Sequence, residues 1–527
     1  MSAHRTLATA GLVVSGMFLV SRLLGWVRTY VVYSEFGAGR ELDIFNAAFR
    51  LPDLIFQLVA AGALSSALIP VVSGLLASGE ESRAFRVVST VTNVMLGLLL
   101  GLAVVGFFAA PLIVPAITPG FASDPDKMDR TIELTRIMLL SPIFLALGAV
   151  ATSLLNARGR FAASAIAPIV YNLAIIGGAV LLGPSLGVAG LAVSVVLGSL
   201  SHVLVQVPSI LGLGFRHRFR VDLDDPQAGR ALTLMVPRAI GLGVTQITFI
   251  VATAIATGFG DGALSAYQLA FILLQIPLGV IGVPLGVVIL PALSREAATG
   301  RLVEYAGLVS RAMRLLLFVM LPIAGIGIVL AHDLVGLLFG GGRSSALTLD
   351  QTASTLVTFL LGLPAHATIA VLARAFYAQQ DTRTPVIAGI VAVVFNTSLA
   401  VALAGPIGFG LPGIGLAIAS GAWIESILLL VLLRRRVDEL AIAPIGLVTA
   451  RSLIATLLAS AVTFGILGGI RLIGAVDPTK LELLVRMVIS GGIGLLIFVG
   501  LAAVLRIQEL PSIVGVMVDL VRRPRQA

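Results

Sequence analysis

The chain has 527 residues, 58% hydrophobic and only 12% charged, where soluble proteins carry roughly 25% charged residues. It has no cysteine, which excludes disulfide frameworks, thiolate metal sites and cysteine nucleophiles. The net charge of +9 falls in short loops between apolar runs, the pattern of a membrane protein's inner side. No nucleic acid is therefore expected among its partners.

Apolar runs of about 20 residues recur from end to end, which defines an all-α polytopic membrane protein. About fourteen spans are predicted, at 7–35, 43–76, 85–116, 130–156, 162–182, 187–212, 231–258, 263–293, 303–331, 350–378, 385–404, 411–433, 447–473 and 482–506. The first runs on past any signal-peptide core, so a retained helix is expected. It holds the stretch SRLLGWVR, Ser21 to Arg28, with Arg22 and Arg28 around Gly25. A guanidinium stays protonated, and at bilayer depth it persists mainly beside a wet cavity or a charged partner. Two of them suggest an anion site. In a regular helix a six-residue step turns about 240°, so Gly25 is read as a hinge that turns both toward one cavity. The alternative has Arg28 snorkelling to the interface and Arg22 paired with a carboxylate.

The second span carries Asp43, Arg50 and Asp53. Asp43 and Arg50 are two helical turns apart and share a face if the helix is continuous. Asp43 then either supplies a counter-charge in the cavity or complements a helix N-terminus. Arg50 and Asp53 also fit an i,i+3 pair. In the twelfth span Glu425 is either a protonated, hydrogen-bonded carboxyl or a proton or cation site. The only lysines, Lys127 and Lys480, follow no glycine-rich loop, which excludes a Walker A ATPase. The histidines have no ligand spacing, so no metal site is expected, and no catalytic constellation stands out: the chain reads as a transporter, not an enzyme.

Loop arginines concentrate on one side, with Arg83, Arg86, Arg158, Arg160, Arg216, Arg218, Arg220, Arg230, Arg383 and Arg434 to Arg436, which predicts both termini in the cytoplasm. The chain also resembles itself at an offset of roughly 222 residues: Phe36 to Phe49 parallels Phe259 to Phe271, and Leu186 to Ser194 parallels Leu411 to Ser420. Two six-helix lobes, 1–220 and 221–440, are expected, related by a pseudo-twofold axis along the membrane normal. Two additional helices over 441–510 and a cytoplasmic interfacial tail over 511–527 complete the chain.

SRLLGWVR, AAFRLPD (Ala47 to Asp53), AGALSSALIPV (Ala61 to Val71), QIPLGVIGVPLGVVILPALS (Gln275 to Ser294) and QDTRTPV (Gln380 to Val386) together resemble the MurJ/MviN family of lipid II flippases. The resemblance implies a multidrug/oligosaccharidyl-lipid/polysaccharide exporter fold in the bacterial plasma membrane. It implies alternating access that moves undecaprenyl-diphosphate-linked peptidoglycan precursor to the outer leaflet. Arg22 and Arg28, with Arg50, Asp43 and Ser21, would bind the diphosphate, and the last two helices would take the polyprenyl tail. Membrane lipids and cell-wall synthesis proteins are the other partners this implies, around a monomer.

The departures from the family are specific. Thr29 stands where the family has an acid, Phe56 and Ala61 where it has an arginine and a glutamate, and Ile272 where it has another cavity arginine. Asn396 matches one position of the family's sodium site, whereas Ala400, one turn on, offers no carboxylate. Sodium or proton coupling, through Asn396 or Glu425, and drive by the membrane potential all stay open. Two other functions remain: export of another polyprenyl-diphosphate glycan or an amphiphilic cation, and a non-transporting cell-wall scaffold.

Overall fold

The computed structural model describes residues 2–59, 63–473, 478–511 and 515, and every regular element among them is helical. The chain divides into two compact units, residues 1–265 with 342–345 and residues 266–341 with 346–527.

The first unit opens with α1 (Ser2–Phe36), α2 (Arg40–Ala48), α3 (Arg50–Val59), α4 (Ala63–Ala77) and α5 (Glu81–Ile117). It continues through α6 (Pro125–Met138), α7 (Ser141–Ala157), α8 (Phe161–Leu181), α9 (Gly183–Leu186), α10 (Val188–Leu204), α11 (Val207–Leu211) and α12 (Pro226–Ala256). Local chemistry sets several boundaries. The Asp124 carboxylate accepts from the Lys127 amide at 3.0 Å and Asp225 accepts from the Gln227 amide at 2.9 Å, each with proline at the first helical position. At the other end of α1, Gly37 has φ +71°, and a Cβ there would meet the Arg343 backbone at 2.6 Å. Both the left-handed turn and the close approach require glycine.

The apolar core of this unit joins α3, α4, α5 and α7 through Leu51, Ile55, Leu64, Leu68, Val88, Val91 and Leu154. α8 packs on α10 through small residues, with Gly178 pressed against Ser194, and its other side carries α1. Close backbone approach at small residues is how helices associate where the hydrophobic effect between them is weak.

The second unit contains α13 (Ala263–Pro277, which begins in the first), α14 (Val283–Ala298), α15 (Leu302–Phe339), α16 (Ala346–Leu360), α17 (Leu363–Ala378), α18 (Arg383–Ala404), α19 (Gly410–Arg436), α20 (Ile442–Ile473) and α21 (Lys480–Val504). Leu278–Gly282 forms a π-helical turn between α13 and α14. Pro277 and Pro284 bracket it, and a proline's missing amide is a known cause of such ladder slips. α15 is the hub, packing on α14, α16, α17, α20 and α21. α21 begins with a capping box between Thr479 and Glu482, and α20 and α21 bury Ala455, Ala459, Phe498 and Ala502 with Phe318 of α15.

The repeat is visible in element order. Paired helices begin 221 or 222 residues apart: Glu81 and Leu302, Ser141 and Leu363, Phe161 and Arg383, Val188 and Gly410. The compact units do not follow it, because α12, the opening helix of the second repeat, packs on α3, α4 and α5 in the first unit. Among the described residues ten helical stretches are long and apolar enough to cross a membrane, or eleven if α16 and α17, bent by 47°, form one span. The span predicted as one helix over 43–76 is instead α2, α3 and α4, with α2 ending at a capped turn on Phe49.

Candidate functional site

One end of the first unit is locked by polar contacts. Arg40 pairs with Asp124 and Asp126, and Arg130 with Glu41, tying α2 to α6. Asp43 is fully buried. Its Oδ2 accepts from the Gly262 amide at 2.7 Å, and its Oδ1 accepts from the Ser265 amide at 2.8 Å and the Ser265 hydroxyl at 2.7 Å. Lys127, also buried, places Nζ 3.5 Å from Asp43 and 2.6 Å from Asp261, over the Phe121 ring. Asn46 donates to the Ser265 hydroxyl and to the Tyr33 hydroxyl.

This corrects the cavity assignment of Asp43. Its carboxylate is spent on the N-terminus of α13, where an anion complements exposed amides and the helix dipole. Between α2 and α3, Phe49 keeps helical backbone angles, and the i to i−4 bonds of Phe49 and Asp53 carry the chain on through Arg50. Asp43 and Arg50 both flank Tyr33 electrostatically.

α1 runs without interruption through Gly25, so the expected break is not present. The Thr29 hydroxyl donates back one turn to the Gly25 carbonyl at 3.1 Å. Arg22 and Arg28 therefore point roughly 120° apart around the helix. Arg22 is exposed and Arg28 half-buried. The Ser21 carbonyl accepts from Asn172 of α8 at 3.4 Å, which fixes α1 on α8.

Arg28 and Asp53 both act on Tyr171 of α8, and Arg50 acts on Asp53. Gln57 donates to Asp53 at 3.4 Å, and Arg50 lies 5.7 Å from the centroid of the Phe249 ring of α12. Gly198 of α10 leaves room for the Tyr171 ring. Three helices of one unit, α1, α3 and α8, thus contribute two guanidinium groups, one carboxylate and one phenol that interact electrostatically, and α12 adds the Phe249 ring beside Arg50. Such a set can hold an anion bidentately, with the acid balancing charge when the site is empty. Asp53 and Tyr171 are the members the sequence did not assign to the site; the polar pair Tyr171-Asn172 inside an apolar run is the signal that marks them.

Of the departures from the family, Phe56 is half-buried against the core of the first unit and Ile272 is half-buried in the second. Ala61 lies outside the described residues, as does the interfacial tail expected over 511–527 apart from Pro511 and Gly515. In the second unit Asn396 is buried on α18 against Gly421 of α19, and the Glu425 carboxyl faces Gly389 of α18. The two candidate coupling residues therefore share one helix interface, one to two turns apart.

A polytopic helical protein with a tandem repeat and buried charge has the architecture of the multidrug/oligosaccharidyl-lipid/polysaccharide exporter fold. The fold itself is matched by a solved lipid II flippase MurJ in an inward closed conformation, at TM-score 0.76 and 21% identity over 94% of this chain and 98% of that one. An inward-facing multidrug resistance MATE transporter of the MOP superfamily matches at TM-score 0.65 and 16% identity, over 80% and 94%. The chain belongs to the family described as lipid II flippase MurJ, whose profile matches residues 32–481. It is 34% identical over 429 residues to a probable lipid II flippase MurJ of Rhizobium tropici, covering 80% of each chain. With the lipid II flippase MurJ of Burkholderia cenocepacia it shares 33% identity over 442 residues, covering 83% of this chain and 84% of the other. Membership makes this a lipid II flippase of the peptidoglycan pathway, a multi-pass protein of the bacterial inner membrane.

Proposed function

We propose that Arg28 and Arg50, supported by Asp53 and Tyr171, hold the diphosphate of lipid II, and that Arg22 joins them as the cargo enters. The electrostatic coupling of these side chains across α1, α3 and α8, with Phe249 of α12 beside Arg50, is the observation that carries this reading. Alternating access would then carry the headgroup from the inner to the outer leaflet, with Gly25 free to bend in the course of the cycle.

Both termini lie in the cytoplasm in this reading. The fourteen spans comprise the eleven apolar stretches together with α1, the α2–α4 run and α12. The exposed apolar faces of α20 and α21, including Leu453, Leu457, Leu458 and Leu496, suit the polyprenyl tail. Glu425 and Asn396 are the candidate coupling site, for a proton or for sodium, with the membrane potential assisting.

The test is reconstitution of the purified chain into liposomes with labelled lipid II, measuring protection from an outside reagent. Losing one charge-assisted contact costs about 1.5–3 kcal/mol, so Arg28→Ala should weaken diphosphate binding roughly tenfold to a hundredfold. Wild-type transport by Arg28→Ala would remove the site assignment. Phe56 and Ile272, apolar where the family carries arginine, favour one alternative, another polyprenyl-diphosphate glycan. Transport of such a glycan with none of lipid II would establish it.

A further inference from the structure

Between α11 and α12 the chain runs without regular secondary structure over residues 215–222, and it is built onto α5. The Asn93 amide donates to the carbonyls of Arg218 at 2.7 Å and Arg220 at 3.1 Å. The Arg218 amide donates to Ser89 Oγ and the Asp222 amide to Thr90 Oγ1, each at 3.2 Å. His217 Nε2 lies 2.9 Å from Asn93 Oδ1, and Phe215 packs edge-on against Phe85. Phe215 and His217 face α5, whereas Arg216, Arg218, Phe219 and Arg220 are all exposed. All three arginines are exposed, and their guanidinium groups have no hydrogen bond or ion pair with the described residues. Phe219 is 89% exposed, set edge-on to His217, and Leu223 is 60% exposed. Two acids, Asp222 and Asp224, follow in the turn into α12 and do not pair with these arginines.

The level of this segment is fixed by α5. The exposed apolar side of α5 begins at Leu98 and continues through Val104, Val105, Phe108 and Leu112. Ser89, Thr90 and Asn93 lie one to three turns before it, at about 1.5 Å per residue. The segment thus crosses α5 at the edge of its lipid-facing band, where arginines and aromatic rings meet headgroups. We propose that residues 216–220 are a binding site for anionic phospholipid headgroups of the cytoplasmic leaflet, with Phe219 seated at the headgroup boundary. The leaflet rests on the orientation proposed above; the lipid contact does not depend on the cargo.

The chain has no cysteine, so a single nitroxide can be attached through Phe219→Cys, or through Leu223→Cys, which keeps Phe219. In vesicles of equal phosphatidylglycerol and phosphatidylcholine the label should be shielded from a water-soluble relaxant and open to oxygen. Phosphatidylglycerol should stay bound to the wild-type chain through delipidation. R216Q/R218Q/R220Q should bind it roughly a hundredfold more weakly, at about a factor of five per arginine, whereas R216K/R218K/R220K should retain it. Equal retention by the glutamine variant, loss by the lysine variant, or a water-exposed label at both positions would overturn the proposal. Labelling of the Phe219→Cys variant by an impermeant thiol reagent on intact cells would overturn the leaflet assignment while leaving the vesicle result to judge the lipid contact. No lipid II is present in these measurements, so their failure is distinct from failure of the diphosphate site.

Discussion

Replacing Asp43 by asparagine separates a structural carboxylate from a cargo-binding one. In the wild type the two carboxylate oxygens accept three hydrogen bonds of 2.7–2.8 Å in a site with no solvent exposure. Asparagine has the same shape but presents an amide N–H₂ to one of those donors, leaving a buried donor unsatisfied at a cost of about 1–3 kcal/mol. Lys127 keeps Asp261 at 2.6 Å, so the ammonium is not stranded. Asp43→Ala removes every acceptor and falls in the range for breaking a buried pair, about 3–5 kcal/mol. At roughly 2–4 °C per kcal/mol for a unit of this size, the asparagine variant should unfold a few degrees earlier and the alanine variant about ten degrees earlier. Thermal unfolding of the purified protein measures this, alongside lipid II affinity of the folded fraction, which should not change. A double variant with Lys127→Met should cost less than the sum of its parts, because the two residues share one network. Wild-type melting of Asp43→Asn together with weakened lipid II binding would refute the helix-capping argument and return Asp43 to the cavity.

Three other outcomes are expected. Asp381 accepts from the Thr384 hydroxyl, the amides of Arg383 and Thr384, and Arg436, and these hold its carboxyl down at about 2. Because the folded value lies below the unfolded value of about 3.9, this stabilisation is complete above pH ~4 and lost as pH falls toward 2. The melting difference between wild type and Asp381→Asn should close across that window; a constant gap would show that the carboxylate charge is not what matters. Gly37→Ala should destabilise by more than the roughly 1–2 kcal/mol of a left-handed alanine, since its Cβ also meets the Arg343 backbone at 2.6 Å. Gly79→Ala, at φ +78° with open space around it, is the control and should cost only the conformational part. Glu425→Gln should leave melting unchanged and abolish the dependence of transport on a proton or sodium gradient, and an unaltered gradient dependence would exclude it from coupling.

Hydropathy and periodicity determined the class of this protein, because a helix in lipid satisfies its backbone internally and each span is written in contiguous residues. The repeat was legible for the same reason, and its 221- or 222-residue spacing recurs in the helix starts. The arginines of α1 were legible as an anomaly of cost. Their partners were not: Tyr171 lies 143 residues beyond Arg28, and only the packing of α1 on α8 brings the two together. Asp43 was left between two roles because its hydrogen-bond donors, Gly262 and Ser265, stand 219 and 222 residues away. Gly25 permits a break in sequence terms, yet α1 is one continuous helix from Ser2 to Phe36, packed on α8. Span 43–76 read as one helix because apolar content does not register a turn such as that at Phe49. The sequence specifies which stretches enter the membrane; which polar side chains meet there depends on helix faces that come together only when distant spans pack.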